Sequence, residues 1–314
     1  MALVLCRSHF CVILPYLKRR VNMSVGIITD SNSGITQSQA SDLGLTVIPM
    51  PFYINDEVFY EDITMTQDEF YKHLEDKVDV KTSQPTPDTM METWRKALKT
   101  NDEVVFIPMS SGLSSSCEMA LALSYDGEFN GRVHVVDNQR ISVTQRQSAL
   151  DALAMAKKGM SGAEIKEVLL REKFESSIYI MMDTLYYLKK GGRITPAAAA
   201  IGTLLKIHPV LQIQGEKLDA YTKAKTVRQG KTAMIKAIKK DMETRFMDPS
   251  GSNCHLEIAY TQGNKEELKQ YEAEVREAFP EHDLVVDPLS LSIACHIGPG
   301  ALALAVSKKV EETM

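Results

Sequence analysis

The residues of this chain best placed to do chemistry are hydroxyls, one imidazole and one guanidinium, each beside a turn. Thr82 and Ser83 sit in Lys81-Thr-Ser-Gln-Pro-Thr-Pro87. Ser110 and Ser111 follow the apolar run 104–109, Arg193 follows two glycines, and His296 precedes Gly298-Pro-Gly300. Loops at the carboxyl ends of parallel strands and the amino ends of helices present free N–H groups and positive dipole ends, so hydroxyls gathered there suit an anionic or polar head group. An arginine after glycines can clamp an anion. Structural duties compete with each assignment: Ser114 to Ser116 also read as a helix cap, Arg193 as a cap on a helix carboxyl end, and His296 as an imidazole bonded to a backbone carbonyl. No Gly-x-x-x-x-Gly-Lys-Ser/Thr, Gly-x-Gly-x-x-Gly or Gly-x-Ser-x-Gly motif is present, so a nucleotide cradle and a nucleophile elbow are both missing.

The elements that must position these residues follow from hydrophobic spacing. Residues 24–29, 45–49, 104–109 and 132–137 are strands of a parallel sheet, alternating with helices at 35–43, 66–77, 88–99 and 141–158. Asn55-Asp56 between two alternating runs predicts a β-hairpin over 52–60, Thr66-Gln-Asp-Glu69 predicts a capping box, and the prolines of 81–87 predict a loop. Beyond residue 160, strands at 177–183, 254–260 and 283–287, a hairpin pair at 208–214 and 217–221, and helices at 184–190, 226–245 and 265–279 mix hairpin with crossover links. The expected architecture is therefore an α/β domain over 23–160 with a parallel sheet, and an α+β domain with a mixed sheet over 161–314.

Composition narrows the class. The chain has 314 residues, 44% hydrophobic and 25% charged, with a net charge of -5. A mild acidic excess argues against nucleic acid as a partner. Five cysteines without ligand spacing indicate neither a disulfide framework nor a zinc site, and fit a reducing cytoplasm. Residues 1–22 lack the order of a signal peptide or membrane span, and Met23 stands just before the first strand. The expectation is that 1–22 is a non-native or disordered extension.

Five blocks now carry a family resemblance. Ile27-Ile-Thr-Asp30-Ser31, Thr82-Ser83-Gln84-Pro85, Ser110-Ser111-Gly112-Leu113-Ser114, Lys189-Lys-Gly-Gly-Arg193-Ile194 and His296-Ile-Gly-Pro-Gly300 occur in the order and near the spacing of the DegV family. Over about residues 24–312 the chain resembles these bacterial fatty-acid-binding proteins. The resemblance implies a two-domain DegV-like fold that holds one long-chain fatty acid between its domains and has no catalysis, cofactor or metal of its own. It further implies a separate fatty acid kinase subunit bringing ATP and magnesium, an acyl-phosphate product used in phospholipid metabolism, and transient contact with a membrane surface for lipid exchange. Position by position, the resemblance implies that Ser111 and either Thr82 or Ser83 donate to the carboxylate, that His296 lies near it, and that Arg193 sits beside the head group. Met181-Met182, Leu185, residues 197–201, Leu204-Leu205 and residues 301–306 offer apolar lining for a tail, or plain core. A second reading makes the protein a serine-dependent acyl-ester hydrolase with Ser111 as nucleophile and His296 as base, though no carboxylate orienter is evident.

Overall fold

The computed structural model describes residues 23–76, 78–201, 207–215 and 217–314, with residue 201 by its backbone alone. The extension 1–22 and the pair Leu204-Leu205 lie outside the described residues. In chain order the elements are β1 (Val25–Asp30), α1 (Gln37–Leu43), β2 (Thr46–Ile48), β3 (Pro51–Ile54), β4 (Glu57–Tyr60), α2 (Gln67–Glu75), β5 (Val80–Thr82), α3 (Pro87–Ala97), β6 (Glu103–Ile107), α4 (Ser116–Ser124), β7 (Val133–Val135), α5 (Ser142–Lys157), α6 (Gly162–Arg171), β8 (Ser176–Met181), α7 (Tyr186–Gly191), α8 (Pro196–Ile201), β9 (His208–Ile213), β10 (Asp219–Ala224), α9 (Val227–Thr244), β11 (Cys254–Tyr260), α10 (Lys265–Ala278), β12 (Leu284–Pro288), α11 (Leu291–Ile297) and β13 (Leu302–Lys308). Local chemistry sets several boundaries. Thr36, Thr66 and Ser161 each accept an N–H from the residue three positions on, and Gln39, Glu69 and Glu164 return the bond, which makes three capping boxes. Asn55 and Asp56, with φ of 48° and 66°, turn β3 into β4 as that dipeptide predicts.

The α/β half carries a parallel sheet in the order β2-β1-β6-β7. Its strands are apolar at successive positions because both faces are covered. Ile27, Val105 and Val136 meet α1, α5 and α6, whereas Ile28, Val104 and Phe106 meet α3, α4 and the turn after α4 through Trp94, Cys117 and Phe129. The α+β half carries a mixed sheet ordered β10-β9-β8-β13-β11-β12, parallel only between β11 and β12. Alternation splits this sheet cleanly. Tyr179, Met181, Leu302 and Leu304 pack under α9 and α10, while Ile178, Ile180, Met182, Ala303 and Ala305 face Met50, Met109, Leu113 and Ile141 from the loops of the first half.

Three segments differ from the sequence reading. The proline-rich loop begins instead as β5, which pairs with β3 (Phe52↔Thr82, Tyr53↔Lys81, Ile54↔Val80) to complete a small antiparallel sheet β4-β3-β5. Three residues with a lysine at the centre hold too little alternation to announce a strand, so the neighbouring strand decides. Residues 291–297 form α11, and the apolar run after Gly300 becomes β13, the strand between β8 and β11. An apolar run buried on both faces has no period to read.

Candidate functional site

The loops of the first half and the apolar face of the mixed sheet enclose a cavity of about 270 Å³, near the lower edge of the usual small-molecule range of roughly 300–1,000 Å³. Its floor is apolar and buried: Met50, Met109, Leu113, Ile141, Ile293 and Ile297. Its rim is polar, with Thr82, Ser83, Gln84, Ser114, Ser115, Arg193 and His296, of which Ser83 and Ser115 reach solvent. A larger groove of about 590 Å³ runs beside the start of α10, but none of the five predicted site residues lines it.

Four of those five residues come together. Thr82 ends β5, and its Oγ1 lies 2.8 Å from Nε2 of His296, which occupies the last turn of α11. Burial, with the positive charge of Arg193 adding, pushes the His296 imidazole down to about 4, so the ring is neutral near pH 7 with one donor and one acceptor nitrogen. When Nε2 carries the proton it donates to Thr82 Oγ1, which leaves the threonine hydroxyl proton free to point at a ligand. Ser83 N–H continues the β5 ladder to Pro51 O at 3.1 Å, so its side chain is carried to the rim. The α7–α8 turn closes the far side of the imidazole: a Cβ at Gly191 would lie 2.1 Å from His296 Nδ1, so only glycine fits. Arg193 donates to Gly191 O and lines the cavity from the same turn.

Ser111 is the exception. It lies outside the cavity lining, where its Oγ donates to Asp137 Oδ2 at 2.8 Å and its N–H to Oδ1 at 3.3 Å. The next turn of the same loop brings Ser114 and Ser115 to the rim instead. Ser114 Oγ accepts the Ser116 N–H at 3.2 Å, and Ser115 stands at the start of α4 without a side-chain cap bond. The amino end of α4 therefore adjoins the cavity and favours an anion there. With Ser111 bonded to Asp137 and His296 to Thr82, the serine–histidine pairing that a Ser111 hydrolase needs is not formed.

Two polar lining residues were not singled out from sequence. Asn32, 1% exposed, sets its Nδ2 2.9 Å from Met109 Sδ, and its Oδ1 accepts from Ser290 and Ser292, the latter also lining the cavity. Asn32 adjoins the Asp30-Ser31 pair, which was a usable signal, whereas Ser292 carried none. Asp30 itself is buried and structural. It accepts from Met109 N–H at 2.8 Å, Asn32 N–H at 3.0 Å and Gln145 Nε2 at 3.1 Å, and burial holds its carboxyl above the usual range. The Gly298-Pro-Gly300 turn gives room to protein rather than ligand, since added Cβ atoms would meet the Tyr187 ring at 2.3 Å and Asp183 Oδ2 at 2.8 Å. Among the described residues no group of three His, Cys, Asp or Glu side chains suits a metal ion, and no helix is long and apolar enough to cross a membrane.

Neutral donors, one guanidinium and a helix amino end around a greasy floor are chemically suited to an amphiphilic anion. The family model for "Uncharacterised protein, DegV family" matches residues 24–309. A DegV domain-containing protein of Staphylococcus aureus is 28% identical over 283 residues, 90% of this chain and 98% of its own length, and one of Lactococcus lactis is 28% identical over 286 residues, with 90% and 99% covered. Among solved structures, a DegV family protein from Thermus thermophilus, described by its fatty acid binding, is 26% identical with a TM-score of 0.81, covering 91% of this chain and 100% of that one. A stearic acid-binding protein from Eubacterium ventriosum shares the fold at 21% identity, with a TM-score of 0.80 and 91% and 99% covered. The five sequence blocks, the pair of sheets and the family match over residues 24–309 agree, and the chain belongs to the DegV family.

Proposed function

We propose that this protein binds a long-chain fatty acid between its two halves, divided at about residue 160, with α6 riding on the parallel sheet of the first. The carboxylate lies at the rim among Thr82, Ser83, Arg193 and His296, and the tail runs over Met50, Met109 and Ile293. The observation that carries this reading is the Thr82–His296 pair, placed at the boundary between a polar rim and an apolar floor. Burying an acyl chain stabilises the complex by roughly 0.8 kcal/mol per methylene, so a modest length outweighs ordering costs. Ser111 serves by holding its loop on Asp137 while Ser114 faces the ligand. The fatty-acid-binding relative from Thermus thermophilus supports the ligand class.

In this reading the protein acts in the cytoplasm as a non-catalytic carrier, loaded by transient contact with a membrane surface. A carboxylate gripped on one side keeps an oxygen open at the rim. There a separate fatty acid kinase subunit, bringing ATP and magnesium, converts it to an acyl phosphate for phospholipid metabolism, and Arg193 meets the incoming phosphate. Native mass spectrometry of the purified protein, then of its denatured extract, tests the ligand: an added mass equal to one long-chain acid is expected, and a protein that neither carries nor takes up such an acid refutes the reading. Adding the kinase, ATP and magnesium tests presentation through formation of acyl phosphate.

A further inference from the structure

The helix that carries His296 is held at both ends by the first half of the chain. At its start the Leu291 N–H donates to Glu61 Oε2 at 2.8 Å, and Ser290 and Ser292 donate to Asn32 Oδ1. At its end His296 meets Thr82. A helix of seven residues has little stability of its own, so these anchors decide where the imidazole sits. Glu61 lies in the turn after β4, and its other oxygen accepts from Gln67 Nε2 at 2.6 Å, an amide that also reaches Leu289 O at 3.3 Å. The titratable groups facing it are Asp62 from its own turn, Tyr71 from α2 and Cys295 from α11, and no basic side chain pairs with it among the described residues.

We propose that Glu61 is a positioning residue for His296: its ionised carboxylate fixes the start of α11 and thereby the imidazole at the far end, so ligand affinity depends on a charge that never touches the ligand. This rests on the fatty-acid reading of the cavity. Burial, with the charge of Asp62 adding, pushes the Glu61 carboxyl up to about 7. Charge-assisted bonds to a carboxylate are stronger than those to its protonated form, so the anchor weakens as pH falls from 8 to 6. His296 itself, held near 4, does not titrate in that window.

The test compares the parent with Glu61→Gln between pH 6 and 8 in two measurements: the His296 ring resonance in ligand-free protein, and the affinity for palmitic acid by displacement of a fluorescent fatty acid. In the parent the resonance should inflect near pH 7 and affinity should fall roughly five-fold toward pH 6, the difference between a charged and a neutral hydrogen bond. Glu61→Gln should show no inflection and hold the parent's acid-side affinity throughout, and Glu61→Asp, which keeps the charge, should restore an inflection. Parallel profiles in parent and Glu61→Gln overturn the proposal. Ionisation of the fatty acid affects both proteins alike. An inflection at His296 in a protein that binds no fatty acid refutes the lipid reading and leaves the role of Glu61 standing.

Discussion

Half-buried and buried polar side chains gather in two places where the halves of this protein meet, and they are satisfied in opposite ways. Around the cavity, the hydroxyls of Thr82 and Ser114 and the guanidinium of Arg193 border open space, with His296 holding Thr82 in place. On the far side of the junction, where α5 lies against β11, charges face one another. Arg146 pairs with Asp287, and Arg140, 2% exposed, donates to Ser148 Oγ at 3.2 Å and Glu172 O at 2.6 Å, with Asp151 and Glu257 close by. Burial lifts the Glu257 carboxyl to about 8 and that of Asp151 to about 6, despite the guanidinium groups. Glu257 Oε2 finds no hydrogen-bond partner among the described residues. One side of the junction fastens the halves; the other keeps donors available for a guest. A buried ion network is strongly destabilised when one partner is lost, whereas an under-used rim tolerates truncation and loses only its ligand.

That contrast can be broken first at the fastening side. Arg140→Ala should lower stability by about 3–5 kcal/mol in urea unfolding near pH 7, because the ionised Asp151 is left buried without the guanidinium beside it and Ser148 Oγ and Glu172 O lose their donor; a loss below 1 kcal/mol would erase the distinction. His296→Ala should cost less stability, about 1 kcal/mol for its bond to Thr82, while weakening fatty acid binding by about 1.5–3 kcal/mol, the range for a hydrogen bond to a charged group, read by fluorescent displacement.

Glu257→Gln sharpens the picture through pH. The folded carboxyl titrates near 8 against an ordinary 4.5, so the folded state holds its proton more tightly. The resulting stability is present below pH 4.5 and is lost as pH rises through 8. At pH 9 the glutamine variant should be more stable than the parent by on the order of 2 kcal/mol, with no difference at pH 4; a pH-independent gap would contradict this. The smallest effect separates two serines of one loop. Ser111→Ala should cost about 1 kcal/mol of stability through Asp137 and leave affinity within roughly two-fold, whereas Ser114→Ala should lower affinity several-fold.

Much of the fold was legible because its signals are local. The capping box at Thr66, the Asn55-Asp56 turn and the apolar runs of β1, β6 and β11 each depend on neighbours a few residues away. Of the site, Thr82, Ser83, Arg193 and His296 were legible as hydroxyl, guanidinium and imidazole groups beside turns, and the structure brings them to one rim. Ser111 was not distinguishable from Ser114 in a run of serines, because a three-residue step along a turn decides which hydroxyl meets Asp137 and which meets the cavity. Ser292 and Glu61 escaped because each acts through a residue far away in the chain, whereas Asn32 was within reach of a reading that stopped at Asp30-Ser31.

The sequence by itself determined the alternation of strands and helices, the two kinds of sheet and the side chains able to grip an acid, since propensity, capping and hydrophobic period are properties of short stretches. Only the tertiary structure decided that Val80–Thr82 is a strand and that residues 291–297 are a helix pinned by Glu61 and Asn32. It likewise decided that Thr82 and His296, 214 positions apart, share a hydrogen bond. These are long-range pairings, and their free energy exists only once the partner strand, carboxylate or hydroxyl has been brought alongside.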